Sequence, residues 1–418
     1  MTRYRHRSWV TSANDPATGN PITHLPYGVF FAPHGERHLC IAIGDQLLDL
    51  THLPEAPPDC SEALKSPTLN ALLELGPDAW KRLRGHVTEI LSVDAPASTR
   101  AELASALQPL ADATLAKPLE IPNYTDFFAS LHHATRVGQL FRPDQPLLPN
   151  YQHLPIGYNG RASSITMSGT PVRRPWGQTR PTLPGGLPGF APTAALDFEL
   201  EMAFVVGVSN PLGTPIAIDE AQSHLFGVTL LNDWSARDIQ SWEYQPLGPF
   251  LGKSFATTIS PWITPMAALA PFEGALLGRP DFTPPPLNYL GSDARTMNVE
   301  LEVFLVSGGR EERLSGSNLR DLFWTPAQLV AHHTSNGCNL EVGDLLASGT
   351  ISGLEDGSAG CLLELTRNGT LPLRLSGGEM RPWLEDGDEV VLRGTCRGAD
   401  LPSLHLGECR ARILPAHS

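Results

Sequence analysis

The chemically densest stretch of the chain is Thr229 to Thr257, TLLNDWSARDIQSWEYQPLGPFLGKSFAT. An apolar run, Val228 to Leu231, is suited to a buried strand and ends at Asn232 and Asp233. Ser235–Trp242 has no Gly or Pro and reads as a short helix that Pro246 must stop. Asp233, Arg237, Gln240 and Tyr244 follow at spacings of four, three and four, which on a helix is one face. Lys253 comes next, in a turn bounded by Pro and Gly. A carboxylate, two cationic groups and an amide converging at a strand end suit a metal and an anionic or oxyanionic substrate. The competing reading is a solvated helix face with an ordinary salt bridge. Trp234 and Trp242 beside the polar groups favour a partly enclosed face.

Further carboxylates lie outside this stretch. Leu196–Val206, LDFELEMAFVV, alternates, with Asp197, Glu199, Glu201 and Ala203 on one side. Residues two apart on a strand stand roughly 6.5–7 Å apart on one face, so Glu199 and Glu201 could flank a cation. Asn298–Val306, NVELEVFLV, does the same with Glu300 and Glu302. Spacing does not choose between the pairs. Asp126 follows a short strand expected at Leu119–Ile121, and a helix expected over Ala129–Phe141 carries His132, His133 and Arg136. Oxygen donors without Cys or clustered His favour Mg²⁺ or Ca²⁺. A cation held by Asp126, Asp233 and one Glu pair would act as a Lewis acid. Arg237, Gln240 and Lys253 would donate to a developing oxyanion, and a histidine oriented by a carboxylate would activate water. The residues thus describe a metal-assisted hydrolase or lyase acting on an oxo-acid. Gly252-Lys253-Ser254 fails as a phosphate loop because Leu247 stands where Gly is required, Gly349–Gly353 is out of register for a serine nucleophile, and HExxH does not occur.

The elements that must position these groups make a mixed, β-rich chain. Its 418 residues suit two domains, and Gly (38) and Pro (39) point to many turns. Net charge is −14 and no basic run occurs, which argues against nucleic acid. The N-terminus lacks the apolar core of a signal peptide, and no apolar run reaches membrane-spanning length. The six cysteines form no CxxC pair and read as reduced thiols in a cytoplasmic protein. In residues 1–117, strands His38–Ile43 and Leu47–Leu50 flank a Gly44-Asp45 hairpin. Helices are expected at Thr68–Leu75, Asp78–Leu91 and Arg100–Leu107, the second packing through Leu83, Val87, Ile90 and Leu91. Residues 118–418 hold two Pro-rich ordered loops, Pro143–Pro155 and Pro171–Pro192, and a helix Thr325–Ser335. Strands are then expected at Leu345–Ala347, Cys361–Leu365, Leu371–Leu375, Glu389–Leu392 and Ala411–Leu414, with a hairpin at Asn368-Gly369. Glu341-Val-Gly-Asp and Glu385-Asp-Gly-Asp read as two similar turn-to-strand entries.

The chain resembles the fumarylacetoacetate hydrolase family in ordered stretches across nearly its whole length. They include Leu25-Pro-Tyr-Gly-Val-Phe30, Tyr124-Thr-Asp126-Phe127, His133-Ala-Thr, Gly160-Arg-Ala-Ser-Ser164, Glu199-Leu-Glu201-Met-Ala-Phe204, Asn232-Asp-Trp-Ser-Ala-Arg-Asp-Ile239, Pro246–Phe255, Asn336-Gly-Cys-Asn339 and Gly343–Gly353. The resemblance implies an α+β, mainly β architecture: a small SH3-like N-terminal barrel, a larger β-roll catalytic domain, and a homodimer. It implies hydrolysis of 4-fumarylacetoacetate to fumarate and acetoacetate, the last step of phenylalanine and tyrosine breakdown. It selects Asp126, Glu199, Glu201 and Asp233 as ligands for Mg²⁺ or Ca²⁺, with Lys253 and Thr257 beside them. His133 becomes the water-activating base with Glu364 as its partner, and Arg237, Gln240 and Lys253 the oxyanion donors. Arg142, Tyr158, Gln240, Tyr244 and Thr350 become substrate contacts, joined by position 128. There Phe128 replaces the family's usual Tyr, and Asn159 stands where a His is familiar. The same metal site on another diketo acid, such as an acylpyruvate, is the alternative activity. A non-catalytic metal-binding protein on the same fold is a third possibility.

Overall fold

The computed structural model describes residues 7–280, 283–291 and 295–418; the first six of the N-terminal residues read above lie outside them. The N-terminal part is built on a five-stranded antiparallel sheet, in the order Leu107–Pro109, Gln46–Asp49, Arg37–Ile43, Tyr27–Phe31, Leu115–Ala116. Its Gly44-Asp45 hairpin pairs Ile43 with Gln46, and Gly44 sits at φ 59°, where a side chain would also strike Ser12 and Ala13. Helix Pro77–Leu91 starts at a Pro in its first turn and buries the expected face of Leu83, Val87, Ile90 and Leu91. The helices expected on either side are shorter, Asn70–Leu73 and Ala97–Leu103. Leu119–Ile121 is not a strand; Leu115–Ala116 closes that edge of the sheet instead.

The larger part contains an eight-stranded sheet that curls into a half-barrel. Its central order is Gly157–Asn159, Tyr124–Phe127, Leu345–Ala347, Leu200–Val206, Leu225–Asp233, Thr257–Ile259, Ile165–Met167. A second sheet runs Arg310–Asn318, Glu300–Ser307, Glu389–Gly398, Leu401–Leu414, Val172–Arg173. Strand Leu200–Val206 explains how the two faces are used. Leu200, Met202, Phe204 and Val206 pack with Leu301, Val303, Val390 and Leu392 of the second sheet. Ala203 and Val205, on the opposite face, pack with Tyr27, Ile41 and Ile43 of the N-terminal sheet. The strand is therefore covered on both sides, and all seven of its residues are buried. Two residues on along the second face, the apolar run gives way to Glu201 and Glu199.

Several expected elements differ. Leu196–Val206 is two strands, Leu196–Asp197 and Leu200–Val206, broken where the partner strand ends. Ser235-Ala236 is a short strand paired with Leu196-Asp197, and the helix begins only at Arg237 and runs to Glu243. Cys361–Leu365 is not a strand but leads into a helical turn, Leu362–Leu365. Asn368-Gly369 therefore ends that turn, both residues at positive φ (58° and 76°), and makes no hairpin. The Pro171–Pro192 loop contains a hairpin, Trp176–Thr179 with Gly189–Pro192. The echoed turns do match. Asp344 and Asp388 each accept the backbone N–H of a Glu three residues earlier, at 2.8 and 2.9 Å, across Gly343 and Gly387 at φ 95° and 94°. All six cysteines are free thiols. Among the described residues no helix is long and apolar enough to cross a membrane.

Candidate active site

The site forms where strand Leu225–Asp233 ends. The Asn232 side chain accepts the Glu199 N–H (3.0 Å), and the Asp233 N–H reaches the Glu199 carbonyl at 3.4 Å. The ladder is thereby pinned at the break, and Glu199 and Asp233 lie side by side. Across the sheet, Asp126 is in register with Ala347, which pairs with Ala203, two residues from Glu201 on the same face. Just beyond Ala347, Gly349 sits at φ 73°, and a Cβ there would fall 2.1 Å from the Phe127 carbonyl oxygen. Only glycine lets the chain pass so close to the strand that carries Asp126.

Asp126, Glu199, Glu201 and Asp233 each offer an oxygen within 4.8 Å of the others, and all four are buried. Neither Glu201 oxygen, nor Asp126 Oδ1, has a hydrogen-bond partner in the protein. Buried polar groups are ordinarily satisfied, and a buried charge without a partner is costly. Unpartnered carboxylate oxygens converging on one point are a donor set for a hard divalent cation, so the residues fit a metal. The rival pair is different: Glu302 is paired with Arg313 (2.7 Å) and Glu300 with Arg397, with all four side chains at least a third exposed. That strand is the wet one.

Electrostatics divides the cluster. Burial pushes Glu201 and Asp126 well above the ordinary carboxylate range; repulsion from Asp233 and Glu199 adds to both, and repulsion from Asp126 adds further to Glu201. Burial also raises Asp233, against the pull of Lys253. Burial works the same way on Glu199, but Lys253 and Arg237, with a smaller contribution from His133, outweigh it and hold Glu199 low. Lys253 Nζ reaches Glu199 at 2.5 Å and Asp233 at 2.7 Å. The lysine lies in a helical turn, Leu251–Ser254. Glu243 accepts the Phe250 and Gly252 N–H groups (3.1 and 2.6 Å), and Gly252 lets this turn press against the Gln240 backbone. Thr257 Oγ1 and Tyr158 OH donate to Asp233 at 2.9 and 3.2 Å.

Asp233 is thus on the strand rather than the helix, and the expected four-residue face holds only in part. Arg237 NH1 contacts Glu199 (2.9 Å) and the Gln240 side-chain oxygen (3.1 Å). Tyr244 is exposed at the helix end, where its hydroxyl accepts from Gln245 at 3.0 Å. One residue the sequence reading passed over organises the rest. Asp197, fully buried, accepts Arg237 Nε at 2.9 Å and the N–H groups of Leu362 and Leu363 at 2.7 and 2.9 Å. It ties the guanidinium to the helical turn that carries Glu364. Its place on the Glu199/Glu201 side of the alternation was the available signal.

His133 rises from the first turn of helix Leu131–Phe141, whose cap, Ser130 Oγ, accepts the His133 N–H at 3.3 Å. His133 Nδ1 lies 2.6 Å from Glu364 Oε1. Glu364 also takes hydrogen bonds from Ser352 Oγ (2.7 Å) and Arg136 NH1 (3.3 Å). Burial opposes its ionisation, but His133, Ser352 and Arg136 outweigh it and bring its pKa down to about 2. An ionised Glu364 only accepts, so His133 Nδ1 carries the proton and Nε2 keeps its lone pair whenever the ring is neutral. The Phe128 ring meets the imidazole edge-to-face at 5.2 Å. Arg142 Nε and Thr350 Oγ1 are buried without partners, the state expected of groups that meet a ligand.

The comparisons with known proteins agree with this geometry. Residues 123–414 match the family model described as fumarylacetoacetate hydrolase C-terminal, and residues 23–118 the one described as fumarylacetoacetase N-terminal. The chain belongs to the fumarylacetoacetate hydrolase family. It is 48% identical to a fumarylacetoacetase of Bos taurus over 98% of this chain and 99% of that one. It is 47% identical to those of Homo sapiens and Arabidopsis thaliana, over 95% of this chain and 96% of each. Among solved structures, a fumarylacetoacetate hydrolase from psychrophilic Exiguobacterium antarcticum matches with a TM-score of 0.54 at 16% identity, covering 94% of this chain and all of that one. That likeness concerns the fold.

Proposed function

We propose that the chain hydrolyses the carbon–carbon bond of 4-fumarylacetoacetate, giving fumarate and acetoacetate in phenylalanine and tyrosine degradation. The observation that carries this is the buried four-carboxylate cluster, in which both Glu201 oxygens and one of Asp126 are unpartnered, beside a buried His133–Glu364 pair, in a chain 43–48% identical end to end to fumarylacetoacetases. Asp126, Glu199, Glu201 and Asp233 would hold Mg²⁺ or Ca²⁺, with Thr257 and Lys253 fixing the Asp233 carboxylate. When bound, such an ion supplies Lewis acidity that makes an enolate a competent leaving group.

His133 Nε2 takes a proton from water as its oxygen adds to the ketone carbon of the fumaryl group, which becomes the new carboxylate of fumarate. Glu364 keeps the proton on Nδ1 and stabilises the imidazolium that forms. Lys253, Arg237 and the Gln240 amide would donate to the negative charge that develops on the tetrahedral oxygen. The carbon–carbon bond then breaks, its electron pair leaves with the acetoacetate carbon, and that carbon gains a proton, balanced by the one that the His133 imidazolium took from water. Arg142 suits a substrate carboxylate, with Tyr158, Tyr244 and Thr350 as further contacts. Phe128 brings shape but no hydroxyl.

The reading extends to a homodimer of two-domain chains, divided near residue 117. Trp176 stacked on Phe190 and the exposed Leu187, Leu247, Phe250 and Leu251 leave apolar surface that a second copy would cover. Six free thiols suit the cytoplasm. Incubation with fumarylacetoacetate and with an acylpyruvate, each with Mg²⁺ or Ca²⁺ and followed by loss of ultraviolet absorbance, tests the substrate. Turnover of the acylpyruvate alone would replace this reading.

A further inference from the structure

A second group of metal-ligating side chains lies on the N-terminal sheet. His38 comes from strand Arg37–Ile43, Asp49 from the end of strand Gln46–Asp49, and His52 from the 3-10 turn Leu50–His52 that follows. His38 Nδ1 and His52 Nδ1 lie 2.9 and 3.0 Å from the same oxygen, Asp49 Oδ2. The other oxygen, Asp49 Oδ1, is fixed by the Thr51 N–H and hydroxyl at 2.9 and 2.7 Å. The three donor atoms lie within 4.8 Å of one another. Asp49 is buried, His38 partly so, and the His52 side chain is 67% exposed, so the group is rigid on one side and open on the other.

We propose that His38, Asp49 and His52 form a separate site for a zinc-like divalent transition metal, bound by two imidazole Nδ1 atoms and one carboxylate oxygen. Tetrahedral ligands about 2.0–2.1 Å from such an ion stand about 3.3 Å apart, a few tenths of an ångström from the two nitrogen–oxygen separations of 2.9 and 3.0 Å, and the two nitrogens lie within 4.8 Å of each other. Metal entry requires each imidazole to carry its proton on Nε2 and offer the Nδ1 lone pair. The Thr51 contacts hold the carboxylate as outer-shell partners do in known sites. Two nitrogens and an oxygen select a softer ion than the four carboxylates of the active site. The inference does not depend on the hydrolytic reading.

The test uses the whole protein with excess Mg²⁺ to fill the carboxylate site. Co²⁺ is titrated in and followed by its visible ligand-field absorption, and Zn²⁺ by calorimetry. One equivalent should bind, and Asp126→Asn should retain it. His52→Ala, a change at an exposed side chain, should weaken binding at least about tenfold, since loss of mere outer-shell partners costs that much. His38→Ala should do the same, and hydrolytic turnover of His52→Ala should stay at the unmodified level. Superimposable titrations of His52→Ala and the unmodified protein, or no bound equivalent, would overturn the site.

Discussion

Glu201→Gln gives the sharpest view of how the buried carboxylates are held without a metal. Burial, Asp126, Glu199 and Asp233 all raise Glu201, and its oxygens meet no donor. A carboxyl raised in this way keeps its proton in the native state after the unfolded chain has lost it. Unfolding then releases the proton, and stability falls as pH rises, by about 1.4 kcal/mol per unit for each proton retained. The window opens at the ordinary carboxylate range and closes at the raised native value. Burial depresses His24 to about 3, which adds an opposite slope below neutrality, but Glu201→Gln shares that slope and the comparison cancels it. Within the window, chelator-treated protein should lose stability in urea denaturation more steeply than Glu201→Gln, by up to about 1.4 kcal/mol per pH unit for each proton retained. Glu201→Gln should remove one proton's worth of the slope. Saturating Mg²⁺ or Ca²⁺ should flatten the slope in the unmodified protein, because the ion takes the proton's place. An equal slope in Glu201→Gln and the unmodified protein would refute this account of the cluster.

Glu364→Gln should lower kcat about 10²–10⁴-fold, because a glutamine can leave the His133 proton on the wrong nitrogen; steady-state rates within tenfold of the unmodified enzyme would remove the dyad from the reaction. Asp197→Asn strands Arg237 beside one carboxylate fewer and should cost about 3–5 kcal/mol of stability, visible as a lowered thermal midpoint, with Asp197→Glu recovering only part. Phe128→Tyr adds a hydroxyl beside His133 and should lower KM about 10- to 100-fold with little change in kcat, the worth of one hydrogen bond to a charged group; an unchanged KM would place the substrate elsewhere.

Much of the architecture was legible where one period ran long enough. The Leu83–Leu91 face, the Gly44 hairpin and the paired Glu-x-Gly-Asp turns follow from local rules alone. Alternation in LDFELEMAFVV correctly assigned sides to Glu199 and Glu201, yet NVELEVFLV carries the same pattern. The difference lies in what covers each face: the sheet and Lys253 in one case, water and surface arginines in the other, and coverage is a long-range property. For the same reason Asp197 was passed over, since its role exists only once Arg237 and the Leu362–Leu365 turn arrive. Cys361–Leu365 misled because a short apolar run suits a strand or a buried helical turn equally. The even spacing of Asp233, Arg237, Gln240 and Tyr244 suggested one helix, but Asn232 and Asp233 still belong to the strand ladder, and the helix could start only beyond it.

Metal-dependent turnover of fumarylacetoacetate tests the central claim most directly. Chelator-treated protein would be titrated with Mg²⁺ or Ca²⁺ while fumarate formation is followed, alongside His133→Gln. The account predicts that activity returns in step with one ion bound at Asp126, Glu199, Glu201 and Asp233, and that His133→Gln binds the ion but forms almost no fumarate. Full turnover without an ion, or undiminished fumarate formation by His133→Gln, would contradict it.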